Sequence, residues 1–120
     1  MKLKRVLVVD DEIFIRDLVK DFLEMEEIPC DDAEDSEGAL TLITQNEYSL
    51  ILLDRHLEKI ETEDVVKKIK RRAKNVPIIM LTGDYHYTDS QIDEMGINGV
   101  IYKPFKVDDF MNKINQLLEN

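Results

Sequence analysis

Four runs of apolar residues set the frame of the chain. Val6-Leu7-Val8-Val9 is continuously apolar, as is Leu50-Ile51-Leu52-Leu53 inside the stretch Ser49 to Asp54. Val76 to Thr82 and Gly99 to Tyr102 are two more such runs. Short unbroken runs of this kind predict strands covered on both faces. Between them the pattern changes period. Ile15, Leu18, Val19, Phe22 and Leu23 recur at helical spacing, which predicts one core-facing stripe. The acids before it suit the positive end of a helix dipole, and Glu26-Glu27 with Pro29 mark its end. Ala39, Leu40 and Ile43 predict a second helix, with Ser36 as its cap and Asn46-Glu47 as its close. Val65, Val66, Ile69 and Ala73 predict a third, capped by Thr62. Val107, Phe110, Met111, Ile114, Leu117 and Leu118 predict a long last helix.

Two elements read weakly. Ile28 to Ala33 is a poor strand, and Pro29 assigns it to an edge. Tyr87 to Met95 is polar, with Ile92 and Met95 as its only clear anchors, and predicts a short, loosely held helix stopped by Gly96. Residues 55–62 show no period and read as a loop. Strand and helix thus alternate five times without repeats. That alternation implies a doubly wound α/β fold with a parallel sheet and helices on both faces. The expected arrangement is flavodoxin-like, (βα)5, with strand order 2-1-3-4-5. Residues 1–120 are expected to form one domain.

Composition narrows the function. The formal charge is −10, from 26 acids against 16 bases, which argues against gripping nucleic acid through a basic face. Plain solubility is the simple account of that acidity. The one basic run, Lys67 to Lys74, reads as a solvated helix face whose last turn complements the dipole. Cys30 is the sole cysteine, so no internal disulfide is expected, zinc is a poor fit, and the thiol reads as a small hydrophobe. No signal peptide or membrane span is read, and a reducing cytoplasm is the simplest address.

The chemistry lies where strands end. Asp10 and Asp11 follow the first strand, Asp54 ends the third, Thr82 ends the fourth, and Lys103 follows the fifth. In a parallel sheet these positions share one edge, where open α/β sheets take their ligands. Three carboxylates within about 4–6 Å repel by roughly 4 kcal/mol per close pair at an effective dielectric of 20. A cation offsets that, and hard oxygen donors suit Mg2+ or Mn2+. An aspartate can act as a nucleophile toward phosphorus, with Thr82 and Lys103 meeting the phosphoryl oxygens.

Val-Leu-Val-Val-Asp-Asp-Glu at 6–12, Leu-Leu-Asp at 52–54, Leu-Thr-Gly at 81–83 and Lys-Pro-Phe at 103–105 resemble the receiver domain of bacterial response regulators. The motifs span nearly the whole chain, in order. The resemblance implies that Asp54 accepts a phosphoryl group from a histidine kinase or histidine phosphotransfer protein. It implies Mg2+ on Asp11, Asp54 and the backbone carbonyl of His56, with Asp10 acting largely through water. Thr82 and Lys103 would report the phosphoryl group, and Lys103–Pro104 would be cis. A downstream effector would be switched, by a monomer or a phosphorylation-dependent homodimer, without direct contact to nucleic acid or membrane. The chain would be free-standing or cut from a longer regulator.

Three departures accompany the resemblance. Glu58 and Thr62 stand where the family usually has proline and glycine, which implies another loop shape. Val100 stands where an aromatic switch is usual, and Tyr102 does not match that switch. His56 and Asp84 flank the pocket at variable positions that tune phosphoryl lifetime. His86 reads as a surface residue, Tyr85 and Tyr87 as loop aromatics, and Phe105 as packing behind the pocket. Two rivals remain: a degenerate receiver acting as a binding module without phosphorylation, and a Mg2+-dependent phosphohydrolase working through an aspartyl-phosphate.

Overall fold

The computed structural model describes residues 4–57, 61–84 and 86–119. Five strands alternate with five helices: β1 (Val6–Val9), α1 (Ile13–Glu24), β2 (Cys30–Ala33), α2 (Ser36–Gln45), β3 (Leu50–Asp54), α3 (Thr62–Arg72), β4 (Ile78–Thr82), α4 (Asp89–Met95), β5 (Gly99–Tyr102) and α5 (Val107–Leu118). The strands form one parallel sheet in the order β2-β1-β3-β4-β5, the flavodoxin-like order expected from the alternation.

Alternation along the strands divides the core in two. Val6, Val8, Leu50, Leu52, Ile79, Leu81 and Ile101 face α1 and α5, where Val19, Leu23, Phe110 and Ile114 close over them. Leu7, Val9, Ile51, Leu53, Ile78 and Met80 face the other way, under Ala39, Ile43, Val65, Val66 and Ile69. β1, β3 and β4 are buried along their whole length, which explains why their sequences carry no polar period. β2 is an edge strand, half-buried until Ala33, and it starts at Cys30, with Pro29 just outside. The Pro29 carbonyl accepts from the Val6 amide, so proline costs the sheet nothing there. Cys30 packs against the α1/α5 side, and burial pushes its thiol up to about 12.

Several expected ends move by one or two residues. The cap of α2 is Asp35, whose carboxylate accepts from the Gly38 amide; Ser36 is buried one position later. The cap of α3 is Glu61, which makes no side-chain cap bond, and Thr62 begins the helix. β3 starts at Leu50 and β4 at Ile78, with Ser49, Val76 and Pro77 outside. The acids stand just before α1 rather than in its first turn: Glu12 is the N-cap, without a side-chain cap bond, and Asp10 accepts from the Glu12 amide over 2.9 Å. α4 has no fully buried residue, as its weak pattern implied. Its start is firmly made: Thr88 and Gln91 form a reciprocal capping box, a signal present in the sequence as Thr-x-x-Gln. Gly96 ends α4 at φ 76°, where a side chain would be strained. Among the described residues, no helix is long and apolar enough to cross a membrane.

Candidate phosphoacceptor site

Strand pairing brings the strand-tip residues together. Val9 lies opposite Leu53 in the β1–β3 register, so Asp10 and Asp54 follow at neighbouring tips. The ladder runs one residue past β1, β3 and β5. The Asp10 amide donates to the Ala33 carbonyl, Arg55 to Leu81, and Lys103 to Thr82, over 3.1, 2.8 and 2.7 Å. Each site residue is thereby fixed by main chain that belongs to the sheet.

The side chains then meet. Lys103 Nζ donates to Asp10 Oδ2 over 2.9 Å and to Asp54 Oδ1 over 3.2 Å. Asp10 is 0% exposed and Asp54 5%. Two buried carboxylates therefore share one ammonium. Burial, with the Asp10 charge next, raises the Asp54 carboxyl above its ordinary 3.8; Lys103 opposes both. Burial alone would lower Lys103, but its bond to Asp10 and the charge of Asp54 outweigh that and raise it above 10.5.

Asp10, Asp11 and Glu12 present carboxylate oxygens within 4.8 Å of one another. Glu12, part of the motif at 6–12, is not among the cation ligands that the resemblance implies. A hard-oxygen set of this kind fits a small divalent cation and not a thiophilic one. Asp10 belongs both to this cluster and to the Lys103 bridge, so the acids and the lysine form one site. Thr82 is 1% exposed, and its hydroxyl accepts from the Asp84 amide over 3.0 Å. Among the described residues its own O–H has no acceptor. His56 is an exposed loop residue whose ring Nε2 lies 2.7 Å from Asp84 Oδ2, across the rim of the site. Lys103–Pro104 is cis, as the resemblance implied.

The loop after Asp54 has its own closure. The Thr62 hydroxyl donates to the Arg55 carbonyl over 2.7 Å, and the Arg55 guanidinium donates to Thr62 Oγ1 over 2.7 Å. Thr62 thus ties the start of α3 to the residue after Asp54, in place of a turn glycine. Glu58 lies outside the described residues, as does Tyr85. Arg55 Nε also donates to the Tyr87 hydroxyl, and the Tyr87 amide donates to the Tyr102 hydroxyl over 2.8 Å. Tyr102 does not copy the usual switch, but it is joined to the loop after Asp54 through Tyr87. Exposed His86 packs edge-on against Tyr102, with ring centroids 4.8 Å apart.

One supporting residue was missed in the sequence. Arg16 lies on the buried side of α1, 8% exposed, and donates to the Asp10 carbonyl and to Asp32, each over 2.8 Å. The available clue was an arginine between Ile15 and Val19 on an apolar stripe. Lys20 also donates to Asp32 over 2.9 Å. Burial alone would lift Asp32, but the bonds from Lys20 and Arg16 outweigh it and hold the carboxyl below 3.8. A carboxyl depressed in the fold stabilises above its unfolded pKa, and that stability goes as pH falls through the folded value. Wild type is therefore expected to lose stability below about pH 4 more steeply than Asp32→Asn, in urea melts taken between pH 3 and 7. Arg16→Ala is expected to cost about 2 kcal/mol at neutral pH in the same melts.

Residues 6–115 match the family described as the response regulator receiver domain. The chain belongs to that family. It is 36% identical over 114 residues to the transcriptional regulatory protein SrrA of Staphylococcus aureus, covering 94% of this chain and 47% of SrrA. The chain thus spans about half the length of the curated relatives it matches. The chemotaxis protein CheY4 of Vibrio cholerae superposes with a TM-score of 0.88 at 25% identity, over 98% of this chain and all of that one (100%). The response regulator TrrA of Thermotoga maritima, solved in complex with Mg(2+)-BeF, superposes with a TM-score of 0.83 at 36% identity, covering 96% and 99% of the two chains. The receiver is a signalling domain of two-component systems, so membership implies a kinase partner and an effector.

Proposed function

We propose that residues 1–120 form one cytoplasmic receiver domain in which Asp54 accepts a phosphoryl group from the phosphohistidine of a kinase or phosphotransfer protein. The observation that carries this reading is the buried Asp10–Lys103–Asp54 bridge beside the Asp10–Asp11–Glu12 oxygens. Asp10, Asp11, Asp54 and the His56 carbonyl would hold Mg2+, with Mn2+ as a substitute. When bound, the cation neutralises charge on the phosphoryl oxygens. TrrA, similar over nearly its whole length, is a relative solved with Mg(2+)-BeF.

The step balances simply. The ionised Asp54 oxygen forms a bond to phosphorus as the phosphorus–nitrogen bond of the donor breaks, and the departing imidazole keeps the electron pair and takes a proton from solvent. Lys103 Nζ, already on Asp54, offsets the added negative charge. The free Thr82 O–H donates to a phosphoryl oxygen. Reorienting that hydroxyl changes its link to the Asp84 amide, and the Arg55–Tyr87–Tyr102 bonds lead from the same loop toward α4 and β5. The face made by α4, β5 and α5 is the one expected to change partner affinity, as a shift between two packings.

Incubation with acetyl phosphate and Mg2+ tests the reading. Intact mass should rise by one phosphoryl group on wild type and not on Asp54→Ala, and the gain should vanish with a chelator. An equal gain on Asp54→Ala would overturn the assignment, and no gain on wild type would favour a phosphorylation-independent binding module. This reading gives the domain no turnover on other substrates.

A further inference from the structure

A groove of about 560 Å³ runs between α3 and α4, away from the acid pocket. Lys67, Lys70, Arg71 and Lys74 line it. Lys67, Lys70 and Arg71 share one face of α3 at i, i+3 and i+4, and Lys74 follows in the turn just past its end. Val66 and Met95 line the groove too, and both pack into the core on that side of the sheet. Among the described residues none of these four bases has an ion-pair partner, whereas Arg5, Arg16, Lys20 and Lys103 are each held by a carboxylate. Six of the chain's 16 bases lie between positions 67 and 74 on a molecule of net charge −10.

We propose that this groove docks a short acidic segment of a partner protein, with one or two apolar side chains flanked by carboxylates. Charge complementarity and the mixed lining both point there. Apolar floor and lysine stems receive an apolar anchor, and the ammonium and guanidinium ends meet carboxylates around it. A long polyanion fits poorly. The pull of the four bases is screened within about 8 Å, and past their reach a long chain lies directly against the acidic remainder of a molecule of net charge −10. The inference stands apart from phosphoryl transfer, because it concerns the unmodified protein.

The test is fluorescence anisotropy on the full chain with a labelled eight-residue peptide of glutamates around a central Leu-Phe pair. Saturable binding is expected, with a Kd of about 10–500 μM that weakens at least fivefold from 50 to 300 mM salt. Lys67→Glu with Lys74→Glu is expected to weaken binding at least tenfold. Lys68→Glu with Arg72→Glu changes the net charge equally off the groove and is expected to weaken it less than threefold. Thermal melts check that both double variants fold. Should the first fail to fold, amide shift mapping on wild type decides, with perturbations expected at 66–74 and 94–97. Failure to saturate, equal loss in both double variants, or shifts elsewhere overturn the proposal. So does equal binding by an all-glutamate peptide, a 20-base-pair DNA or anionic vesicles, each of which would make the stripe a general polyanion surface. A concentration-dependent dimer abolished by Lys67→Glu with Lys74→Glu would likewise overturn it, in favour of a second copy as occupant.

Discussion

Lys103→Ala is expected to lower the unfolding free energy by about 3 kcal/mol at pH 7, the largest effect of any single change at the site. The ammonium is the shared partner of two buried acids, with 2.9 and 3.2 Å contacts. Without it Asp10 and Asp54 face each other uncompensated, and like charges at such range repel by roughly 4 kcal/mol at an effective dielectric of 20. The loss carries a pH signature. The Asp54 carboxyl, already raised by burial and the Asp10 charge, then loses the lysine that opposes both and rises further above its unfolded value near 4. Acids raised in the fold favour it below the unfolded pKa, and stability is lost as pH rises through the folded values. The deficit against wild type should therefore shrink as urea melts move from pH 7 to pH 4. Millimolar Mg2+ should recover part of it at pH 7. A deficit of equal size at all pH values, or one matched by the exposed Lys106→Ala, would refute the electrostatic account.

Asp54→Asn carries the second large effect, with two readouts of opposite sense. Phosphoryl acceptance is expected to fall to nothing, because an amide oxygen is no nucleophile toward phosphorus. Stability is expected to rise, by on the order of 1 kcal/mol at pH 7, or about 4 °C in melting temperature. The sign follows from burial and then Asp10, which hold the Asp54 carboxyl above its ordinary value despite Lys103. A carboxylate with that history is a liability to the fold whenever it is ionised, and the liability disappears below its unfolded pKa near 4. The gain of the variant should accordingly fade between pH 7 and pH 4. Calorimetry across that interval measures it, and a variant less stable than wild type at pH 7 would refute it.

These two residues were legible in the sequence because both stand at strand ends. A buried parallel strand carries no polar residue until it leaves the sheet, so the first acid or hydroxyl after the run marks the edge where ligands bind. Asp10, Asp54, Thr82 and Lys103 obey that rule: Asp54 and Thr82 are the last paired residues of β3 and β4, and ladder bonds hold Asp10 and Lys103 one residue beyond β1 and β5. The acids after β1 were legible as a cluster but not as a geometry. Asp10 is fully buried while Asp11 and Glu12 are exposed, and spacing alone does not separate an inward carboxylate from two outward ones. Arg16 was illegible for the opposite reason. Its neighbours announce an apolar stripe, and only the position of β2 reveals that the stripe includes a carboxylate, Asp32, and a stranded carbonyl, that of Asp10. The caps at Asp35 and Glu61 were missed by one residue because Ser36 and Thr62 are themselves favourable cap types, and only their burial inside the first turn separates them from the caps.

Phe105, two residues beyond Lys103, has its ring 5.0 Å from that of Phe110 and 6.2 Å from that of Phe22. The main chain on the far side of the lysine is thus moored between α1 and α5, while the near side is moored by the sheet through Thr82. An ammonium slung between two such moorings travels by swinging its own four methylenes, and the backbone beneath stays where it is. On the proposed reading, such an arm is expected to follow a charge arriving at Asp54 as a short boom on a fixed mast, without asking the surrounding fold to yield.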